Sequence, residues 1–285
     1  MKLRSSGRGR RYSALRGVVE AAQAVAYVGA WPARLFDRLR PPRLEVVTHR
    51  LPAGRGGRPA LRVAFASDLH IGPITSPALL DAAFAQLAAW APDVLILGGD
   101  YVFLEATPAV GARLEALVGR VAAPTKLAVL GNHDLWTDHG VIETALERGG
   151  ARVLVNEGLR LPAPHDDVAV VGLDDPWSGA PDAERAFADP DVTSAAVRIA
   201  AVHAPEGQPH VSGRGAALML CGHTHGGQIA TPRGPIIVHG PLGHRWPAGL
   251  YQIDDLAMFV SRGLGTVELP LRLFAPPDVA LFTIS

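Results

Sequence analysis

The stretch AALMLCGHTHGGQ, residues 216–228, joins a strand pattern to two histidines in a glycine-rich loop. The apolar run 216–221 predicts a buried strand, and the glycines after it predict a tight loop. This loop presents the imidazoles of His223 and His225 from one point. Imidazole is the commonest metal ligand in proteins, but a His-x-His pair alone is a weak signal. Its meaning depends on the side chains that end the other strands.

Three strands predicted upstream also end in polar side chains. They cover residues 61–66, 93–97 and 126–130, and helices are predicted between them at residues 77–90 and about 108–121. The alternation of strand and helix indicates an α/β layered fold, in which ligands gather at the carboxyl ends of the strands. The polar groups that follow these strands are Asp68, His70, Asp100, Asn132 and His133.

The second half of the chain is richer in strands than the first. Strands are predicted at residues 168–173 and 197–202, and the second of these ends in His203. No internal repeat or low-complexity linker divides residues 44–285, so we expect a single domain there. We interpret the β-rich end of the chain as part of a second, mixed sheet that stacks on the first. Its strands are predicted at residues 236–238, 250–253, 257–261 and 278–284.

The composition excludes several classes of site. The chain has 285 residues, of which 48% are hydrophobic, enough for the core of one large domain. Cys221 is the single cysteine, which excludes an intrachain disulfide framework and a multi-cysteine zinc site. Lys2 and Lys126 are the only lysines, so a Schiff-base mechanism is not expected.

Charge is distributed unevenly along the chain. Residues 1–43 carry ten basic side chains and two acidic ones, whereas the remainder carries 17 basic and 25 acidic ones. A basic segment on an acidic body predicts an anionic partner for that segment, either a membrane or a nucleic acid. Binding of nucleic-acid phosphates needs a basic face, and the body is acidic. We therefore expect a membrane rather than a nucleic acid.

Residues 1–43 are predicted to associate with a membrane or to act as a signal. Residues 17–31 form an apolar run of marginal length for a membrane span. Pro32 is predicted to open a second, basic amphipathic helix of the kind that lies on anionic membranes. Two alternatives stay open, a cleaved signal peptide and helices packed on the body. Pro41 and Pro42 mark the predicted break before the body.

Histidine, carboxylate and amide side chains at the strand ends form a candidate metal site. This mixture suits borderline divalent ions such as Mn, Fe, Zn, Ni or Co. The groups outnumber the ligands of one ion, whereas two ions about 3.5–4 Å apart that share a carboxylate would use them. Such a pair activates water and holds phosphoryl oxygens during a displacement. The candidates are Asp68, His70, Asp100, Asn132, His133, His203, His223 and His225.

Five ordered motifs between residues 68 and 225 resemble those of the calcineurin-like metallophosphoesterase superfamily: Asp-x-His, Gly-Asp, Gly-Asn-His-Asp, a histidine after a strand, and Gly-His-x-His. The resemblance implies a four-layer α/β/β/α sandwich of two mixed sheets, and hydrolysis of a phosphoric ester by a metal-bridging hydroxide. It implies that Asp100 bridges two ions and that His133 contacts phosphate and assists the leaving group. By the same motifs, one ion is bound by Asp68, His70 and His225, and the other by Asn132, His203 and His223.

Shorter motifs resemble the bacterial membrane-associated phosphodiesterases of this superfamily, a branch that includes diphosphatases acting on UDP-2,3-diacylglucosamine. The resemblance implies a phosphodiester or diphosphate substrate, such as that lipid-linked one, and a location at a bacterial inner membrane. Arg262, in a glycine-rich turn, is a candidate phosphate contact. Trp177 lies in a loop that could line a pocket, and His239 and His244 flank another loop that could border the site. The motifs cover residues 99–102, 203–206, 226–228, 261–265, 269–272 and 276–277.

One position departs from the usual pattern. The superfamily often has Gly-Asp-x-x-Asp, but here Phe103 takes the place of the second acid. That acid usually supports the histidine after the asparagine, so its absence puts the orientation of His133 in question. Asp134 and Glu105 are the candidate replacements. A phosphomonoesterase, including a protein phosphatase, and a catalytically weakened metal-binding scaffold stay open as alternatives.

Overall fold

Two six-stranded sheets form the body of the protein. The structure, a computed structural model, describes residues 6–39 and 43–285. Numbered along the chain, the strands are β1 Glu45–Leu51, β2 Leu61–Ala66, β3 Val94–Leu97, β4 Thr125–Ala128, β5 Arg152–Val153, β6 Glu157–Arg160, β7 Val168–Gly172, β8 Val197–Ala201, β9 Leu218–Cys221, β10 Ala230–Thr231, β11 Gly234–Pro235, β12 Gly249–Ile253, β13 Leu256–Val260 and β14 Asp278–Ile284.

The longer helices of the body connect consecutive strands, as expected for an α/β fold. Ser76 caps the first of them by accepting a hydrogen bond from the Leu79 N–H, and Pro77 takes the first helical position, as predicted. The helices are α1 Ala14–Ala26, α2 Trp31–Leu39, α3 Pro77–Trp90, α4 Pro108–Arg120, α5 Asn132–Trp136, α6 His139–Arg148, α7 Ala183–Phe187, α8 Pro190–Thr193, α9 Gln208–Val211 and α10 Pro241–Arg245.

Both sheets are mixed, as predicted. The first has the strand order β1-β14-β2-β3-β4-β5, and the second has the order β12-β13-β9-β8-β7-β6. In the first sheet β14 runs antiparallel to β2, and in the second β12 and β6 run antiparallel to their neighbours. The other pairs are parallel, so β2, β3 and β4 end at one edge of the first sheet, and β8 and β9 end at one edge of the second.

Alternate residues of the central strands face different cores, as the period of two in a strand requires. Phe65 of β2 packs between the sheets with Ile199 of β8. Its neighbour Ala64 faces the opposite way, into a core formed with α3, α4 and α6. Met219 of β9 faces outward from the second sheet, towards α7 and α9. The layers therefore follow the order α/β/β/α, which confirms the predicted fold class.

Two strand predictions at the β-rich end are wrong. Residues 236–238 form a loop after the short β10–β11 hairpin, and they lack a partner strand. The strand β14 belongs to the first sheet, between β1 and β2, and not to the second. It is buried on both faces, with Phe282 in the core between the sheets and Leu281 in the outer core. A strand that is apolar on both faces carries no pattern that says which sheet it joins.

Residues 6–39 pack on the body, which is one of the interpretations that the sequence left open. Arg8 forms a two-pronged ion pair with Asp174 of the body, at 2.6 and 2.7 Å. No helix in the described ranges is long and apolar enough to cross a bilayer. The predicted break at Pro41 and Pro42 lies outside the described residues.

Candidate metal centre

The eight candidate side chains lie together at the carboxyl ends of β2, β3, β4, β8 and β9. All eight residues are buried, with at most 8% of their surface exposed. Because both sheets present these ends at the same edge of the sandwich, loops that are distant in sequence meet there. In chain order the loops supply Asp68, His70, Asp100, Asn132, His133, His203, His223 and His225.

One cluster consists of Asp68, His70 and His225. The Nε2 atoms of His70 and His225 lie 3.1 Å apart, and Oδ1 of Asp68 lies 3.4 Å from Nε2 of His225. One ligand atom from each residue falls within 4.8 Å of the others. Two imidazole nitrogens and a carboxylate oxygen therefore converge on one point, as the ligands of a cation do.

A second cluster consists of Asp100, His203 and His223. Oδ2 of Asp100 lies 3.1 Å from Nε2 of His203, and that nitrogen lies 3.2 Å from Nδ1 of His223. The same Asp100 oxygen also lies 3.7 Å from Nε2 of His70, in the first cluster. Asp100 thus stands between the two groups of histidines.

Backbone carbonyls fix the orientation of two of these rings. Nδ1 of His203 lies 2.8 Å from the Gly98 carbonyl oxygen, and Nδ1 of His70 lies 3.3 Å from the Val102 carbonyl oxygen. A carbonyl oxygen only accepts, so each Nδ1 donates its proton there. The Nε2 atom of each ring is then the nitrogen that faces the clusters and would bind a cation in its deprotonated form, which is the usual arrangement of a metal-binding histidine.

Asn132 supplies a buried acceptor that the protein does not satisfy. Its Oδ1 atom has no hydrogen-bond partner among the described residues. Leaving such a group unpaired costs about 1–3 kcal/mol. A cation at this position would satisfy the oxygen, so the donor set fits a divalent metal ion.

The backbone is strained at most of the candidate ligands. A positive φ is uncommon outside glycine, and each such residue costs on the order of 1–3 kcal/mol. Strain of this kind persists where the surrounding structure holds it, and it clusters at functional sites. The strained residues, with their φ angles, are Asp68 at 53°, His70 at 42°, Asp100 at 54°, His223 at 70° and His225 at 54°.

Two glycines let the carboxylates approach the neighbouring loops. A Cβ atom on Gly222 would lie 2.1 Å from Oδ2 of Asp68, and one on Gly131 would lie 2.2 Å from Oδ1 of Asp100. Both distances are far inside van der Waals contact, so any side chain at either position would displace a candidate ligand. The glycines of these motifs are therefore required by close packing around the carboxylates.

Burial and charge set the protonation of the site. Burial lowers the pKa of His70 to about 4 and the pKa of His133 well below its usual value. Burial opposes ionisation of Asp100, but His203 and His133 outweigh it and hold the Asp100 pKa well below its usual range. Burial also opposes the charge on His203, whereas Asp100 raises the His203 pKa well above its usual value. Metal ligands must be deprotonated, so an ion would compete with the His203 proton.

His133 lies beside the two clusters on α5. Its ring centroid is 4.8 Å from that of His70 and 5.1 Å from that of Trp136. The Phe103 ring packs 6.2 Å away, where the usual pattern has an acid. The backbone N–H of His133 donates a 2.8 Å hydrogen bond to Oδ1 of Asp100, which ties this loop to the site.

Neither Asp134 nor Glu105 occupies the position beside His133 where the family pattern usually has its second acid. Asp134 is buried. Burial raises its pKa to about 8, and the negative charge of Asp100 contributes to the same shift. Glu105 lines a separate pocket beside α1. The Asp134 carboxylate instead joins two loops, because it accepts hydrogen bonds from the N–H groups of Gly131, Asp100 and Tyr101.

Arg262, the candidate phosphate contact, forms ion pairs with two carboxylates. Its Nε donates to Asp278 at 2.9 Å, and its Nη2 donates to Glu45 at 2.7 Å. These two ion pairs hold the guanidinium against Asp278 and Glu45. Arg262 also lies outside the set of residues that line the pocket at the metal centre.

A pocket of about 90 Å³ opens onto the two clusters. Trp177 and His239 line it, as their loops suggested, and the Trp177 ring lies 5.0 Å from that of His223. Two other lining residues, Arg16 and Glu268, were not predicted from the sequence. They bind each other through an ion pair across 252 positions of the chain, and local patterns do not reveal such a pair.

Comparison with known proteins agrees with this site. The family model described as calcineurin-like phosphoesterase matches residues 61–227. Phosphodiesterase YaeI of Escherichia coli is 28% identical over 248 residues, covering 84% of this chain and 88% of the relative. The uncharacterized metallophosphoesterase YkuE of Bacillus subtilis is 29% identical over 280 residues, covering 95% and 96%. UDP-2,3-diacylglucosamine pyrophosphatase LpxG of Chlamydia trachomatis is 26% identical over 275 residues, covering 78% and 82%.

The matched region spans more than half of the chain and includes every candidate ligand at the strand ends. Proteins of this family use divalent metals, and the clustered histidines and aspartates suit them. The chain therefore belongs to the calcineurin-like phosphoesterase family and is a phosphoric ester hydrolase.

Proposed function

We propose that this enzyme hydrolyses a phosphodiester or diphosphate bond with two divalent metal ions. The observation that carries the proposal is the position of Asp100 Oδ2, which lies 3.7 Å from Nε2 of His70 and 3.1 Å from Nε2 of His203. A carboxylate shared by two cations offsets their mutual repulsion. One acid between two groups of histidines therefore supports a dinuclear centre.

Each ion would have three ligands of its own in addition to Asp100. The neutral amide of Asn132 is a weak ligand, so the ion that it binds would keep more of its Lewis acidity. Imidazole, carboxylate and amide together suit Mn, Fe, Zn, Ni or Co. Asp68, His70 and His225 would bind one ion, and Asn132, His203 and His223 would bind the other.

Ions held in this way would provide a nucleophile from water at neutral pH and would neutralise charge on the phosphoryl oxygens. His133 would then contact the phosphoryl group or the leaving oxygen. Burial keeps its ring neutral, so one ring nitrogen carries a proton that it can donate. The hydrogen bond from its backbone N–H to Asp100 ties the loop that carries His133 to the centre.

Arg16 is the cationic phosphate contact that we propose in place of Arg262. It lines the pocket, and Glu20 and Glu268 hold its Nε and Nη1 atoms. Its Nη2 atom is buried and has no hydrogen-bond partner among the described residues. A guanidinium that is fixed by two acids and keeps one free donor is well prepared to bind a phosphoryl oxygen.

The relatives support a diester or diphosphate substrate, since one is named a phosphodiesterase and another a UDP-2,3-diacylglucosamine pyrophosphatase. We propose that residues 1–43 associate with the bacterial inner membrane and that residues 44–285 form the metallophosphoesterase domain. The outer face of α1 supports the membrane role, because Leu15 and Val25 are 73% and 76% exposed.

The proposed chemistry is tested by Asp100→Asn in the metal-loaded full-length enzyme, with bis(p-nitrophenyl) phosphate as the diester and p-nitrophenyl phosphate as the monoester. An ion contributes several kcal/mol to such a reaction, so we expect diester turnover to fall about 10³-fold. Asp81→Asn is the matched control, because Asp81 pairs with Arg113 and Arg120 at the surface. Normal turnover by the Asp100 variant would refute the proposal, and a wild-type preference for the monoester would favour a phosphomonoesterase.

A further inference from the structure

A second cavity of about 210 Å³ adjoins the metal centre. It shares part of its wall with the pocket at the centre, including His225 and Glu268. The cavity therefore begins at a candidate metal ligand and extends away from it. We call it the aliphatic groove, because five of its lining side chains are aliphatic: Ile229, Ile236, Ile237, Val267 and Leu269.

The charge at the groove differs from the charge at the metal centre. Among the described residues, neither lysine nor arginine lines the groove. Its acid, Glu268, is paired with Arg16 and also accepts a 2.6 Å hydrogen bond from Gln23, so its carboxylate is occupied by partners on α1. The groove therefore suits an apolar group, whereas the adjoining pocket, with Arg16 and the candidate ligands, suits a phosphoryl group.

The rim of the groove exposes large apolar side chains. Ile236 is 59% exposed, Ile237 is 68% exposed and Leu269 is 50% exposed. Single exposed apolar residues are ordinary, but a group of them around a cavity is typical of a ligand or interaction site. These side chains lie on the body, so the feature does not depend on the N-terminal segment.

The helix α1 presents an apolar face to the outside and a polar face to the body. Its Arg16 and Gln23 bind Glu268 in the wall of the groove, while Val18 and Val25 are exposed. A helix packed on a soluble core has the opposite arrangement. Glu268 thus joins the apolar outer face of α1 to the rim of the groove, and both suit contact with an amphiphile.

We propose that the aliphatic groove binds the alkyl or acyl chain of an amphiphilic phosphoester whose phosphoryl group lies at the metal centre. This inference rests on the proposed phosphodiesterase function and adds the class of substrate. A chain that fills the groove passes Ile236 and Leu269 at the rim and ends next to His225. The alkyl chain thereby orients the phosphoester, and a soluble diester without such a chain uses the metal centre alone.

A series of p-nitrophenyl alkyl phosphates with methyl, butyl and octyl groups tests this. In each of them water attacks phosphorus and the P–O bond to p-nitrophenolate breaks, so only the chain differs. We expect kcat/KM of the metal-loaded full-length enzyme to rise by up to about fourfold for each methylene that enters the groove. In Ile236→Gln/Ile237→Gln the increase should largely disappear, so that the octyl ester is hydrolysed little faster than the methyl ester.

Leu250→Gln is the matched control, since Leu250 is 39% exposed on the edge strand β12 and does not line the groove. Binding can also be measured without turnover, by comparing the dissociation constants of dodecyl phosphate and inorganic phosphate. The wild type and Leu250→Gln should bind dodecyl phosphate more tightly, and only Ile236→Gln/Ile237→Gln should lose this preference. Equal rates across the alkyl series would overturn the inference, and the exposed rim would then suit protein docking instead. The same loss of chain preference in Leu250→Gln would also overturn it, because the preference would then come from any exposed apolar side chain. Failure to hydrolyse any diester would instead refute the proposed function.

Discussion

The pocket at the metal centre has two walls that are built differently. The inner wall consists of the strand-end loops with the seven proposed ligands, all of them buried. The outer wall consists of Arg16, Trp136, Trp177, His239 and Glu268, which lie on helices and loops around the opening. Arg16 comes from α1 and reaches Glu268 near the other end of the chain.

The difference separates the groups proposed to perform the chemistry from the groups that surround the opening. Ligands of the inner wall sit on strained backbone between packed glycines, so substitutions there disturb several groups at once. Residues of the outer wall are partly exposed and are held by individual ion pairs and ring contacts. We therefore expect changes to the inner wall to abolish the chemistry, and changes to the outer wall to alter which phosphoester is bound.

The largest effect should follow from removing an inner-wall imidazole. His203→Ala leaves Asp100 without its 3.1 Å partner and removes one proposed ligand, so turnover of bis(p-nitrophenyl) phosphate should fall about 10³-fold. Chelation of metal from the wild-type enzyme should have the same result. His210→Ala, on α9 and away from the pocket, is the control. If His203→Ala retained metal and activity, the inner wall would not be the metal centre.

A smaller but clear effect should follow from filling the space beside Asp68. Gly222→Ala places a methyl group 2.1 Å from Oδ2 of Asp68, and overpacking of this kind costs about 1–3 kcal/mol of unfolding free energy. Gly119→Ala is the control, because its Cβ would meet no atom within 4 Å. Gly119 lies in the last turn of α4, where alanine fits the helical backbone and restricts the unfolded chain, so that change should stabilise the protein by about 0.4–1 kcal/mol. Chemical denaturation measures both, and an unaffected Gly222 variant would contradict the close packing.

At the outer wall, Arg16→Ala should raise KM for a charged diester more than it lowers kcat. Loss of one charge-assisted hydrogen bond is worth about 1.5–3 kcal/mol, or roughly 10- to 100-fold in binding. Arg16→Lys should recover part of the loss, and Arg34→Ala, exposed on α2, should have no effect. A lower melting temperature with unchanged KM would mean that Arg16 only attaches α1 to the body.

The smallest effect on catalysis should come from the exposed face of α1. Val18→Ser/Val25→Ser removes apolar contact with a bilayer, so binding to anionic vesicles should weaken by about fourfold for each methylene equivalent lost. Hydrolysis of a soluble diester should stay unchanged. Val46→Ser, 40% exposed on β1, is the control in vesicle flotation. Equal flotation of the α1 variant and the wild type would show that this face does not bind membranes.

The parts of the molecule that sequence predicts are those defined by local pattern. The strands before Asp68, Asp100 and His223 have short apolar runs and glycine-rich ends, and the structure places them as expected. Which sheet β14 joins depends on its pairing with strands that are distant in the sequence. Because β14 is apolar on both faces, its pattern does not distinguish the two sheets. Ile236 and Ile237 look like a strand because they are β-branched, yet they lack a partner and form the rim of a groove.

Trp177 and His239 of the outer wall were anticipated from their loops, but the pairing of Arg16 with Glu268 was not predictable, for the same reason. Arg16 lies in a basic segment whose charge suggested a membrane, and only the folded chain brings it to Glu268. Phe103 shows the opposite case, since its departure from the family pattern was visible in the sequence. Its consequence needed the structure, in which Phe103 packs beside His133 and Asp134 is used to join two loops.

The most direct test of the central claim is the number of metal ions bound per chain, measured by equilibrium dialysis with Mn²⁺ and by elemental analysis. The position of Asp100 between the two clusters predicts two ions in the wild type, and fewer than two in Asp100→Asn under the same conditions. Asp81→Asn should bind two. One ion in the wild type, or two in Asp100→Asn with unchanged affinity, would contradict a dinuclear centre bridged by Asp100.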